Sequence, residues 1–256
     1  MNNDIDAARA FITSCELAAP TLPKVIQKDV FEYDAAKAQA SVVGADIVAF
    51  MSGVPAESRQ DIANASLLAQ LVAKKKVPAP TTLASLTGWY DAYFDVLSRI
   101  GFAIQDKGFA TYSERSEDFE AHEAILKVAT ALFVGAPAAL AVIKSTLEAL
   151  HATAESAGWL TLYNRESQAA NTARFQVSLV GQEPDGRLFV SIMAFGLEAH
   201  TNLTQVLFFK FRSNEVRLEH HSGKVSFNAQ LLAGVRGQIS AKLDSYASSF
   251  ITSVDL

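Results

Sequence analysis

A single cysteine, Cys15, stands in the 256 residues, which excludes an internal disulfide framework and a cysteine-based metal cluster. Excess positive charge is missing too. The chain has 22 Lys and Arg against 27 Asp and Glu, a net charge of −5, so it has no overall attraction to nucleic acid or to anionic lipid. Long apolar runs are short of a membrane span. The longest, Ala129 to Ile143 (ATALFVGAPAALAVI), has fifteen residues and is interrupted by Pro137, where a spanning helix needs about 20. It reads as buried helix ends meeting at a turn. The opening MNNDIDAARAFITSCELAAP carries Asp4 and Asp6 and lacks a basic region followed by an apolar one. A soluble cytoplasmic chain without a signal peptide is the expectation, so any action outside the cell requires release or secretion.

Catalytic patterns are missing as well. The sequence has no G-x-S-x-G, Walker A, G-x-G-x-x-G or H-E-x-x-H motif. His122–Glu123 lacks a second histidine four residues on and reads as a solvated helix face. His220 and His221 are adjacent in a predicted strand, so they point to opposite faces and cannot jointly hold one metal. His151 and His200 have no carboxylate or cysteine partner at ligand spacing. The expectation is a protein that is not an enzyme, with no cofactor and no metal site.

Half of the residues are hydrophobic, enough for a substantial core in one domain over 1–256. Helical periodicity dominates residues 1–157. A strand is predicted over Lys24 to Tyr33, and helices over Ala35 to Met51, Ala56 to Lys75, a segment from Thr82 to Ile100, Glu117 to Phe133 and Pro137 to Ala157. The cluster Trp89, Tyr90, Tyr93 and Phe94 lies at helical spacing and reads as core, with a lipid contact as the sharper alternative.

From Trp159 the period becomes alternating. Four strands are predicted, at Ala173–Gln182, Arg187–Gly196, Leu203–Arg212 and Glu215–Asn228, and the first two flank the turn residues Glu183 to Gly186. A helix over Ala229 to Phe250 closes the chain. Phe175, Val177 and Leu179 alternate with Gln176 and Ser178. Leu188, Val190 and Ile192 belong to a run apolar on both faces, as do Val206, Leu207, Phe208, Phe209 and Phe211; Val225 and Phe227 lie in the last strand. Central strands apolar on both faces need cover on both. The predicted architecture is a mixed α/β (α+β) three-layer α/β/α sandwich, an antiparallel sheet between two helical hairpins.

The strand Gln205-Val-Leu-Phe-Phe-Lys-Phe211, the run Leu188-Phe-Val-Ser-Ile-Met-Ala-Phe-Gly196 before it, the tryptophan-bearing Gly158-Trp-Leu-Thr-Leu-Tyr-Asn-Arg-Glu166 and the preceding helical hairpin resemble the Cyt-type cytolytic delta-endotoxins and their fungal cytolysin relatives. The resemblance covers about the second half of the chain. It implies a protein that perforates membranes, with target-cell phospholipids and its own copies as partners and no nucleic acid. The inserting residues would be Phe175, Val177, Leu179, Leu188, Val190, Ile192, Val206, Leu207, Phe208, Phe209, Phe211, Val225 and Phe227. Trp89, Tyr90, Tyr93 and Trp159 are possible lipid contacts. A non-lytic protein of the same fold, holding a lipid or acyl chain between helices and sheet, is the alternative.

Overall fold

The computed structural model describes residues 2–19, 32–104, 108–112, 118–153, 158–200, 203, 206–208, 210–212, 216–244, 246 and 251–254. Helix α1 (Asn2–Ser14) opens the chain. The strand expected over Lys24–Tyr33 falls mostly outside the described residues. Strands β1 (Gln39–Val43) and β2 (Asp46–Phe50) then form a hairpin where a helix was expected over 35–51. Alanine content favoured the helix, but Val42, Val43, Ile47, Val48 and Phe50 are β-branched or aromatic and pack well on a pleated surface. Gly44, at φ +59°, opens the two-residue turn and gives it the hand that strand twist requires.

Helices α2 (Ala56–Lys76) and α3 (Leu83–Arg99) follow as predicted. Thr82 caps α3: its Oγ1 accepts from the Ser85 N–H at 3.2 Å, and Ser85 Oγ accepts from the Thr82 N–H at 3.0 Å. Short strands β3 (Phe102–Ala103), β4 (Ala110–Thr111) and β5 (Asp118–Glu120) lead into the predicted helical hairpin, α4 (Ala121–Leu132) and α5 (Pro137–Thr153). Residues Gly158–Ser167 form helix α6 in place of the expected tryptophan-bearing strand. Helical period prevails there because Tyr163, Glu166 and Ser167, at i, i+3 and i+4, are all buried.

The strand-rich part comprises β6 (Gln168–Ala169), β7 (Thr172–Gln182), β8 (Leu188–Ala199), β9 (Lys210–Arg212) and β10 (Val216–Phe227). Helix α7 (Ala229–Leu243) and strand β11 (Ile251–Val254) complete the chain. The sheet order is β11-β1-β2-β7-β8-β10-β3, with β4 also on β10 and β6 also on β7. Every pairing is antiparallel except β2 with β7, which is parallel; helices α2 to α6 lie between these two strands in sequence and provide the crossover a parallel pair needs.

The expected meander of four strands is corrected to three. β8 pairs directly with β10. Among the described residues of the predicted strand Leu203–Arg212, only Lys210–Arg212 is extended, and it pairs with β5 in a separate two-stranded sheet. Val206, Leu207 and Phe208 lie in a bend and turn. Their apolar side chains find burial in the helical layer, so alternation along this run did not need a sheet to satisfy it.

Two cores flank the sheet, as the three-layer reading requires. Helices α1, α2, α3 and α7 pack on one face with Val43, Val48, Phe50, Val180, Val190, Ile192 and Val225. Helices α4, α5 and α6 pack on the other with Val42, Ile47, Phe175, Val177, Leu179, Met193, Phe195 and Leu197.

The β1–β2 turn supplies a stability test. A Cβ at Gly44 would stand 2.5 Å from Gln70 Oε1, the atom that accepts the Ala45 N–H at 2.9 Å. Gly44→Ala therefore combines a left-handed backbone with displacement of a buried acceptor. Urea unfolding should show a loss of at least about 1 kcal/mol; an unchanged midpoint would contradict this account of the turn.

Candidate membrane-active sheet

Strands β7 and β8 pair over their full length, with Val177 opposite Met193 and Phe175 opposite Phe195. Residues directly opposite share a face, and the two faces differ in chemistry. Ala173, Phe175, Val177 and Leu179 of β7 and Met193, Phe195, Leu197 and Ala199 of β8 lie under α4, α5 and α6. All are buried, and the Phe175 and Phe195 rings stack at 5.0 Å. Ser191, opposite Leu179, is the polar interruption on this face.

The opposite face of β7 carries Thr172, Arg174, Gln176 and Ser178, all buried. Helices α2 and α3 cover this polar side, as the three-layer reading requires. Asp46 of β2 accepts hydrogen bonds from Ser66 Oγ of α2 at 2.8 Å and from Ser178 Oγ at 3.1 Å. Full burial pushes the Asp46 carboxyl up to about 6, opposed by these two hydroxyl bonds. The Arg174 guanidinium sits 4.5 Å over the Trp89 ring, and burial lowers its pKa. Thr172 Oγ1 donates to the Pro80 carbonyl.

The α3 aromatics are interior. Trp89 and Phe94 are 0% exposed and Tyr90 and Tyr93 are 1%, which agrees with core packing and keeps them from lipid in this state. Trp89 stacks on Tyr93 at 5.5 Å. Tyr90 Oη donates into the sheet, 3.1 Å from the Phe175 carbonyl and 2.8 Å from that of Phe195. Burial raises the pKa of Tyr90 and Tyr93, so both stay neutral donors.

The candidate inserting residues do not form one surface. Phe175, Val177 and Leu179 face α4 and α5, whereas Leu188, Val190, Ile192, Val225 and Phe227 belong with the α2, α3 and α7 side. Val206 and Leu207 are buried in the α4–α6 layer, with Phe208 partly buried against it. Phe211 is in β9, opposite Phe119. Phe209 and the Trp159 side chain lie outside what the structure describes. His220 and His221 do face opposite ways: His220 meets Tyr112 and Phe195, and His221 meets Phe94 and Phe109.

Sequence reasoning missed the buried polar group of Asp46, Ser66 and Arg174. The signal was Arg174, Gln176 and Ser178 alternating with apolar residues, but alternation alone does not say whether the polar side meets water or a polar helix. Between α2, α3 and this face, around Asp46, Ser66 and Ser178, lies a cavity of only about 10 Å³. No helix among the described residues is long and apolar enough to cross a membrane.

No family model matches the chain, and no curated protein matches it. Among solved structures it is similar to a delta-endotoxin, with a TM-score of 0.39 and 13% identity over 82% of this chain and 91% of that one. It is also similar to the Evf virulence factor, with a TM-score of 0.35 and 12% identity over 97% of both chains.

Asp46 gives this site a pH signature. Its folded value of about 6 lies above the ordinary aspartate value of 3.8, so between these values the folded protein holds the proton more tightly. The contribution is fully present below pH 3.8 and is lost as pH rises through about 6. The wild type should therefore lose roughly 2–3 kcal/mol relative to Asp46→Asn across that window. Urea unfolding of both proteins from pH 4 to pH 8 checks this; a difference that does not vary with pH would show that Asp46 does not titrate there.

Proposed function

We propose that this chain perforates membranes by exchanging its α4–α5 cover for lipid across the apolar face of β7 and β8. The observation that carries the reading is the unequal chemistry of the two faces. Toward α2 and α3 the sheet is bound through hydrogen bonds and buried polar groups, including the Asp46, Arg174 and Tyr90 contacts. Toward α4 and α5 the packing is built of apolar side chains, for which acyl chains are an equivalent solvent. Withdrawing α4 and α5 offers lipid a face of Phe175, Val177, Leu179, Met193, Phe195 and Leu197 and leaves Arg174, Gln176 and Ser178 on the other side, still covered by α2 and α3.

The lengths fit. β7 has 11 residues and β8 has 12, and a tilted strand needs about 9–11 to cross the hydrocarbon. β10 fits less well, because His220, Ser222 and Lys224 stand opposite Phe195, Met193 and Ser191 on the lipid side. The turn between β7 and β8 compensates part of its own charge, with Arg187 Nε 2.7 Å from Asp185 Oδ2. A pair of strands cannot satisfy its edges in lipid, so several copies must assemble. The alternative, an acyl chain held between helices and sheet, finds no room beside Asp46, where the cavity of about 10 Å³ holds about one water.

Disulfides that tie one cover at a time test this. In a Cys15→Ser background, a bridge between α5 and the facing β7 should cut dye release from phosphatidylcholine vesicles when oxidised and restore it on reduction. A bridge between α3 and β8 should leave release intact in both redox states. Equal release with α5 locked or free would refute withdrawal of this cover.

A further inference from the structure

The helix ends that meet at the turn between α4 and α5 are buried, as expected, but the turn itself is not. Phe133 and Ala139 are interior, but residues 134–138 are exposed. Val134 is 82% exposed and is the one exposed large hydrophobic side chain among the described residues. Ala136, Pro137 and Ala138 surround it, and Val128 to Ile143 contain no ionisable side chain. A solvent-facing connection is ordinarily polar, and the exposed β7–β8 turn, with Asp185 and Arg187, is. The apolar turn also hides much of its backbone. The Phe133 N–H bonds to the Ala129 carbonyl at 2.9 Å, Ala136 N–H to Phe133 at 2.9 Å and Ala139 N–H to Ala136 at 3.1 Å, while Pro137 has no N–H to satisfy. Donors already bonded cost little when water is removed.

We infer that this tip is where the protein first docks on a lipid bilayer, seating Val134 and the adjoining Ala136, Pro137 and Ala138 at the boundary between headgroups and acyl chains. The inference rests on the membrane-perforating reading and assigns docking to the hairpin whose withdrawal uncovers the sheet. A bilayer is the occupant that matches the charge pattern: the chain carries −5 overall, and the tip offers apolar surface with no charge. Contact is therefore apolar, insensitive to salt and weak enough to be reversible. Docking also draws α4 and α5 toward the phase that can replace them on the sheet.

Val134 is exposed, so it can be replaced without opening the core. Phosphatidylcholine vesicles are the probe, with binding read by co-sedimentation at low and high salt and leakage read by dye release. Val134→Lys should weaken binding about tenfold with an unchanged thermal midpoint, and Val134→Leu should tighten it, a gain that damage to the fold does not produce. Wild-type binding should not change with salt. In a Cys15→Ser background, a polarity-sensitive dye on Val134→Cys should shift to the blue on binding and be reached by lipid-soluble quenchers. A wild type that leaks vesicles while V134K binds and leaks equally overturns the docking site and leaves perforation standing. Binding lost in V134K, with no leakage by a wild type that binds, supports docking and overturns perforation. A wild type that does not bind overturns both.

Discussion

Strands β7 and β8 are buried on both faces, so the groups they present depend on partners inside the protein. For the apolar face this takes volume alone. For the other it requires specific partners, because a buried carboxylate or guanidinium without them is very costly. Asp46 finds two hydroxyls on different elements, Arg174 finds the Trp89 ring, and Tyr90 reaches the backbone of both central strands. Each fixes α2 or α3 at one register over the sheet, whereas apolar packing under α4 and α5 tolerates other solvents.

The same side is fastened from further out. Gln70 bonds the Val43 carbonyl at 2.8 Å while accepting from Ala45, which ties α2 to the tip of the β1–β2 hairpin. Arg59, buried on α2, donates to the carbonyls of Val54, Lys37 and Met51 and secures the hairpin's other end. Arg236 of α7 makes a paired contact with Asp61 at 2.7 Å for each bond. These bonds give helix α2 a fixed place between the hairpin and α7, and β2 in turn lies parallel to β7. A layer held by this many directional bonds is fixed to the sheet more firmly than one packed on it through apolar side chains alone.

The sequence made β7, β8 and β10 legible because alternation and the Glu183–Gly186 turn signals agree. Helices α2, α3, α4 and α5 were legible because Thr82, Pro137 and the glycine at 135 punctuate the helical period. The three layers followed from one rule about strands apolar on both faces. β1 and β2 were hidden by the alanines at 35, 36, 38, 40, 45 and 49, whose helical propensity is a weak prior that tertiary packing overrides. Helix α6 was hidden by Trp159, Leu160, Leu162 and Tyr163, a pattern that fits either period until Tyr163, Glu166 and Ser167 are seen on one buried side. The polar interior was not legible, since its partners Asp46, Ser66 and Ser178 are scattered through the sequence and meet only through β2–β7 pairing.

The apolar run Val206 to Phe208 misled for a related reason, and its place bears on how the helical layer is joined. Val206 and Leu207 are 0% exposed, yet their backbone bonds go to helices: the His122 N–H at the start of α4 donates to the Leu207 carbonyl at 3.1 Å, and the Val206 N–H reaches Asn164 Oδ1 of α6 at 3.4 Å. The Phe208 ring lies 5.4 Å from His122 of α4 and 4.8 Å from His151 of α5. Residues 206–208 therefore bind α4, α5 and α6 to one another. Helix α6 is also tied to α2, through Lys74 Nζ 2.8 Å from Glu166 Oε2, so of these three helices α4 and α5 are the ones that meet the sheet through apolar packing. Directional bonds thus hold the helices of this layer to one another, and apolar side chains hold α4 and α5 to the sheet.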